Sequence, residues 1–144
     1  MAETPEVEMY VRDAQQSLVG ETIVAAQVVV PATVRFPTPA VFSEEIAGAR
    51  IMGAARRAKW MLIALSGGCT LAIHLMLYGS LRLEPSTAPP EPSLCVALRL
   101  ASGDDLRMLD RMGYARMALA PTAEIGARLR LNNRNAFACP RCQQ

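Results

Sequence analysis

The residues of this chain that could do chemistry lie mostly at its two ends. The chain opens Met1-Ala2-Glu3. A methionine followed by alanine is usually removed, which would expose the α-amine of Ala2. Such an amine titrates near about 8, so part of it is neutral and nucleophilic at physiological pH. A neutral amine can form a Schiff base with an electrophilic carbon, and Glu3 beside it could move protons. The plainer reading is that Glu3 and Glu6 are acids in the first turn of a helix, where the dipole favours them. At the far end Cys139-Pro140-Arg141-Cys142 has zinc-ligand spacing, and one such pair supplies half of a four-ligand site. Cys69 and Cys95 fall in β-rich stretches, where cysteine commonly packs as a small apolar residue. Three arrangements stand open: no zinc, zinc shared between two chains, or zinc completed by Cys95 or His74. His74 is the one histidine of the chain, and a lone histidine on a strand is more often structural than a ligand.

Charge is informative through its distribution. The formal net charge is only +2. Acids crowd the first helix as Glu3, Glu6, Glu8 and Asp13, whereas Arg128, Arg130, Arg134 and Arg141 follow one another with no acid after Arg128. A second basic cluster is Arg56-Arg57-Ala58-Lys59. Separated patches of this kind can bind phosphates without a high overall isoelectric point; they can equally be solvated faces. About half of the 144 residues are apolar and 5% are aromatic, so one domain is expected, with a core of Val, Ile, Leu, Ala and Met. No apolar run is long enough to span a bilayer, so no membrane partner is expected. The acidic start lacks the features of a signal peptide, so the expected compartment is the cytoplasm, where cysteines are thiols or metal ligands rather than disulfides.

These residues need elements to position them. Pro5 suits a helix start; Val7, Val11, Ala14 and Leu18 recur at helical spacing, and Gly20 suits the cap. Ile23 to Val30 is β-branched and bounded by Pro31, which predicts a strand. Residues 35–39 read as a loop and Phe42 to Ala49 as a short helix. Strands are expected over 50–57, 59–65 and 70–77, the last two joined at Gly67-Gly68. Pro85 to Pro92 is a proline-rich surface loop. A hairpin follows over 94–101 and 106–109, then a strand over 117–119 and a helix from Pro121 to Leu131, with Thr122 as a plausible cap. The pattern predicts a mainly β (α+β) fold, an antiparallel β-sandwich flanked by two α-helices.

Ala2-Glu3-Thr4-Pro5-Glu6-Val7-Glu8 resembles the Pro-Glu-Leu-Pro-Glu-Val-Glu opening of the formamidopyrimidine-DNA glycosylase and endonuclease VIII family. Residues 18–23 fit as well. Arg56 to Leu62 resembles the family segment whose lysine sits in the catalytic pocket. Residues 73–81 resemble its His-Leu-x-Met-Ser-Gly-x-Leu segment, and residues 106–116 the strand ending in Asp-Pro-Arg-x-Phe-Gly-Arg. Asn132 to Gln144 resembles the end of its zinc finger.

The resemblance implies a DNA glycosylase and AP lyase of base-excision repair, working on damaged double-stranded DNA through a Schiff base on its N-terminal amine. It makes 1–131 an N-terminal β-sandwich domain and 132–144 a zinc-finger remnant, with the helix–two-turn–helix domain missing between them. The expectation from that gap is weak DNA binding, because phosphate contacts supply most non-specific affinity. Residue by residue, the resemblance puts Ala2 at the proline nucleophile, with Glu3, Lys59 and Arg134 as its catalytic companions. Lys59, His74, Ser93 and Arg134 fall at or beside DNA-contact positions. Leu77, Met112 and Tyr114 fall at the residues that fill the hole left by an everted base, where relatives carry methionine, arginine and phenylalanine. Met112 lacks the hydrogen-bonding donors of that arginine; Arg111 next to it carries the nearest guanidinium. Cys139 and Cys142 imply half of a zinc site, and sharing it would make a homodimer through the C-terminal tail.

Overall fold

Val7, Val11, Ala14 and Leu18 are all buried in the computed structural model, which describes residues 4–131. They form the inward stripe of α1 (Thr4–Ser17) and of the turn after it. Gly20 ends that turn at φ +97°, a conformation that a side chain would strain. Along the rest of the chain come β1 (Ile23–Val28), a 3-10 turn (Pro31–Thr33), β2 (Val34–Phe36), α2 (Pro39–Ile46), β3 (Ile51–Arg57) and β4 (Trp60–Leu65). Then follow β5 (Cys69–His74), β6 (Ser80–Pro85), β7 (Leu94–Leu100), β8 (Asp104–Leu109), β9 (Arg116–Pro121) and α3 (Thr122–Arg128). The end of α1 is tied to β3 by the Gly20 N–H, which donates to the Ile51 carbonyl at 2.8 Å.

The strands form two sheets, in the orders β1-β7-β8-β6 and β2-β9-β5-β4-β3. The expected sandwich is therefore the architecture, and the four-stranded sheet is antiparallel throughout. Four details differ from the expectation. Thr122 is the first residue of α3 rather than its cap, which is Pro121, and its hydroxyl bonds to that of Thr70 at 2.8 Å. The short strand β2, in a stretch expected to be loop, runs parallel to β9. Helix α2 starts at Pro39, three residues early, because Pro39 fits the first helical turn and the Thr38 hydroxyl accepts from Val41 N–H; it stands as a third helix. Strand β6 lies at a sheet edge and was not expected. Its Leu81, Arg82, Leu83 and Glu84 are no more than half-buried, so burial leaves little sequence signal; pairing with β8 makes it a strand.

Between the sheets lie Ile23, Ile51, Ile63, Leu71, Ile73, Leu98, Met108 and Met117, sealed at one side by Phe42 and Ile46 of α2. Complete burial of side chains of this size contributes about 1.5–3 kcal/mol each. The outer face of the five-stranded sheet is covered over β5 and β9. There Ala72, Ala118 and Ala120 are small enough for α3 to lay Ile125 and Leu129 against the sheet, with Trp60 at the margin. Strands β5 and β9 are thus buried on both faces and read as nearly continuous apolar runs.

A buried ionic cluster secures the other sheet. The Arg107 side chain is 4% exposed. Its Nη2 donates to Asp105 Oδ2 at 3.2 Å and to the Ala88 carbonyl at 2.9 Å, and Glu84 Oε1 lies 3.6 Å from Nη1. One guanidinium thus holds the proline-rich loop against β8. Removing only the cation would leave the buried Asp105 carboxylate with Arg99 alone, 2.9 Å away, and take the shared donor from the Ser86, Ala88 and Pro89 carbonyls. Arg107→Met is expected to lower unfolding free energy by about 2 kcal/mol in urea denaturation, and Asp105→Leu added to it to restore part of that loss. A single-variant loss below about 1 kcal/mol contradicts this account.

Candidate nucleic-acid interface

One end of the five-stranded sheet gathers polar residues that the sequence keeps apart. Strands β3 and β4 close through the two-residue turn Ala58-Lys59, with Arg57 paired to Trp60 and Ala58 at φ +54°. Met61 pairs with Ile73 on the next strand, and His74 with Arg116 on the one beyond. Antiparallel register therefore sets Lys59, Trp60, His74 and Arg116 along one edge of the sandwich. The early turns of α1 reach the same end, where Glu8 Oε2 lies 3.0 Å from Arg56 Nε.

His74 is fixed in orientation. Its Nδ1 accepts from Met76 N–H at 3.0 Å, and Trp60 meets its ring edge-on at 5.0 Å and 84°. An accepting Nδ1 means that the neutral imidazole carries its proton on Nε2, as a donor. Burial, and secondarily the charge of Lys59, hold its pKa below the ordinary histidine value. Met76 sits at φ +56°, a strained conformation for this residue type; the bond to His74 is one of the contacts that hold it.

Two loops leave this end, residues 75–79 after β5 and 110–115 after β8. Leu77, Met112 and Tyr114 stand on them at 56%, 48% and 50% exposure, unlike the leucines and methionines of the sandwich core. The loops touch: a Cβ on Gly79 would collide with the Leu75 carbonyl oxygen and come within 3.0 Å of the Ala115 Cβ. The second loop is held from below by Asp110, a buried carboxylate that accepts from the N–H groups of Met112, Tyr114 and Ala115 at 2.8–2.9 Å. Arg116 closes it by donating to the Gly113 and Ala115 carbonyls. The arrangement presents exposed apolar side chains on a braced backbone, beside a lysine and a histidine donor. Such a surface can wedge between stacked bases while cationic and donor groups meet phosphates.

Lys59, His74, Leu77, Met112 and Tyr114 thus share one end of the fold. Ser93 adjoins it, since its carbonyl accepts from Asp110 N–H at 2.9 Å and it shares a cavity with Tyr78 and Arg111. Ala2, Glu3, Arg134, Cys139 and Cys142 lie outside the described residues. Among the described residues no three His, Cys, Asp or Glu side chains are grouped to hold a metal ion, and the Cys95 sulfur is turned toward the Ser93 and Asp110 carbonyls. The described residues therefore provide no ligand set that fits zinc. Sequence reasoning missed Trp60, Asp110, Arg116 and Gly79, which act by supporting others. Of these only Asp110 leaves a local trace, an acid followed three residues later by a turn glycine.

A family model described as formamidopyrimidine-DNA glycosylase N-terminal domain matches residues 1–117. The formamidopyrimidine-DNA glycosylase of Moorella thermoacetica is 37% identical over 125 residues, covering 87% of this chain and 46% of the relative. That of Pelotomaculum thermopropionicum is 38% identical over 122 residues, covering 85% and 44%. The chain spans about half the length of these curated relatives. Among solved structures, the Lactococcus lactis protein in complex with FAPY-dG-containing DNA superposes with a TM-score of 0.83 at 25% identity, over 88% of this chain and 47% of that one. Its complex with abasic-site DNA superposes equally well, with a TM-score of 0.83.

Two outcomes follow from the geometry. In NMR titration His74 should show the Nε2–H tautomer and a pKa below about 6.5, and Lys59→Met should raise it. Below that value the unfolded chain takes up the proton before the folded one, so the His74 contribution to stability is full above it and is lost as pH falls through the folded pKa; an unshifted His74 contradicts the placement. Gly79→Ala should displace the Leu75 carbonyl of its own loop, press a methyl against Ala115 and cost about 1–3 kcal/mol in thermal unfolding, whereas a neutral effect would contradict this close approach.

Proposed function

This chain belongs to the formamidopyrimidine-DNA glycosylase family, and from that premise we propose that it recognises damaged double-stranded DNA and acts on it as a glycosylase and AP lyase of base-excision repair. The observation that carries the proposal is the convergence of Lys59, His74, Leu77, Met112 and Tyr114 at one end of the sandwich. Leu77, Met112 and Tyr114 enter the duplex and occupy the space of an everted base, which favours eversion at sites already weakened by damage. Lys59 and the Nε2–H of His74 engage the flanking phosphates. The amine of Ala2 attacks C1′ of the damaged nucleoside, the base leaves with a proton supplied through Glu3, and the resulting Schiff base permits strand cleavage assisted by Lys59 and Arg134.

A second reading is favoured by one residue. Ala2 stands where the family has proline, and a primary amine on a freely rotating residue is positioned less well than a ring-held secondary one. Catalysis is then reduced or lost, and the chain serves as a DNA- or protein-binding module. In either case zinc on Cys139 and Cys142 and pairing of two chains through the tail are separate proposals, read by the effect of EDTA on oligomeric size.

Borohydride trapping on abasic-site DNA tests the proposal, after intact mass has shown whether Met1 is removed. A covalent adduct that disappears when the N-terminal amine is acetylated supports the enzyme. DNA retained in a gel shift without an adduct supports the binding module, and absence of both overturns the DNA reading.

A further inference from the structure

The two sheets end in the edge strands β1, β6, β2 and β3. Along β3 lies α1, whose Gln15 Nε2 donates to the Ala54 carbonyl at 2.8 Å. Helix α2 packs against β1, and β2 is three residues long. Strand β6 pairs with β8 on one side only. Its register shows which groups face outward. Ser86 N–H donates to the Gly103 carbonyl at 3.0 Å, so bonding to β8 falls on residues 80, 82 and 84. The N–H groups of Leu81 and Leu83 therefore point to the open edge, and among the described residues no hydrogen bond reaches them. A row of unpaired backbone donors and acceptors is a template for another strand. The inner side of this edge is apolar. Leu83 is 44% exposed and, with Tyr10, Leu18, Met61 and Leu106, lines a cavity of about 250 Å³ between β6 and α1. The outer side carries opposite charges two residues apart, Arg82 and Glu84.

We infer that β6 is the surface on which two copies of this chain pair, antiparallel and about a two-fold axis at Leu83. This register sets each Leu83 opposite its counterpart, with two reciprocal N–H to carbonyl bonds. Leu81 N–H then donates to the carbonyl of the partner's Pro85, which has no N–H of its own to return. Arg82 stands opposite the partner's Glu84 on both sides of the axis, in the closer, non-hydrogen-bonded position where opposite charges attract. Pairing centred on Arg82 would set two guanidinium groups against each other, and pairing centred on Glu84 two carboxylates. Charge thus selects the register that also matches leucine to leucine. The Arg82 side chain is 54% exposed and holds Glu91 at 2.7 Å, so it takes a second carboxylate without leaving the first. Leu81 and Leu83 of each copy cover the mouth of the other's cavity and remove apolar surface from water. The two Ser80 ends point in opposite directions, so the exposed Leu77, Met112 and Tyr114 of both copies stay open at opposite ends of an eight-stranded sheet, four strands from each copy. The pairing depends neither on the DNA reading nor on the C-terminal tail.

The test is sedimentation velocity of the full chain under reducing conditions. A single strand pair makes a small interface, so a monomer–dimer equilibrium is expected between about 1 and 200 µM, and EDTA should leave it unchanged. Leu83→Pro removes an N–H that bonds to nothing within the chain and should weaken pairing at least about tenfold. Arg82→Glu should weaken it about threefold to tenfold, and less at high salt. Melting temperatures taken at about 1 µM, where the chain is monomeric, show that each variant keeps its fold. Leu83→Cys reads the register directly. Opposed Cα atoms about 5.5 Å apart are within disulfide reach, so diamide should link two chains. Leu81→Cys, about 14 Å from its counterpart, should cross-link no better than the wild type. A monomer at every concentration, a dimer dispersed by EDTA, a dimer that survives Leu83→Pro, or Leu83→Cys chains that cross-link no better than the wild type would each overturn the inference.

Discussion

Burial of both faces of β5 and β9, the middle of the five-stranded sheet, is the constraint on which the rest of the structure depends. One face packs against the second sheet through Ile63, Leu71, Ile73 and Met117, and the other carries α3 on Ala72, Ala118 and Ala120. An unpaired polar side chain in the middle of β5 or β9 would have no water and no partner. Polar groups are therefore confined to strand ends and turns. The antiparallel register then brings those ends together, which is why Lys59, His74 and Arg116 form a row although 57 positions separate the first from the last.

The loops at that end present a different physical problem. Exposed Leu77, Met112 and Tyr114 would fold back onto the core if their backbone were free, because burying them is favourable. Two devices prevent this. Asp110 gathers three N–H groups of its own loop, and Gly79 allows the neighbouring loop to approach Ala115 without a Cβ between them. Hydrogen bonds to an ionised acceptor are stronger than those between neutral groups, so one buried carboxylate suffices to hold apolar side chains outward. The same loop lines the cavity shared by Tyr78 and Arg111, so that cavity and the exposed apolar side chains share one support.

Most elements were legible because their burial is one-sided or complete. The 3.6-residue stripe of α1 and the nearly continuous apolar runs of β5, β7 and β9 follow directly from where water is excluded. Strand β6 and the parallel strand β2 were not legible. Both are short edge elements, and their state depends on a neighbour distant in the chain, β8 for one and β9 for the other. At the candidate site Lys59, His74, Leu77, Met112 and Tyr114 could be named from the resemblance alone. Trp60, which fixes the His74 ring, and Asp110 could not, since their roles lie in contacts rather than in residue type.

By itself the sequence determined the composition of the core, the sandwich class and the family, because side-chain chemistry and hydrophobic period are local properties. Tertiary structure alone decided which nitrogen of His74 carries the proton, which loop Asp110 braces and that the loops after β5 and β8 meet at one end of the sandwich. Each of these depends on distances between residues far apart in the chain, and those distances are set by strand register and by close packing of the core.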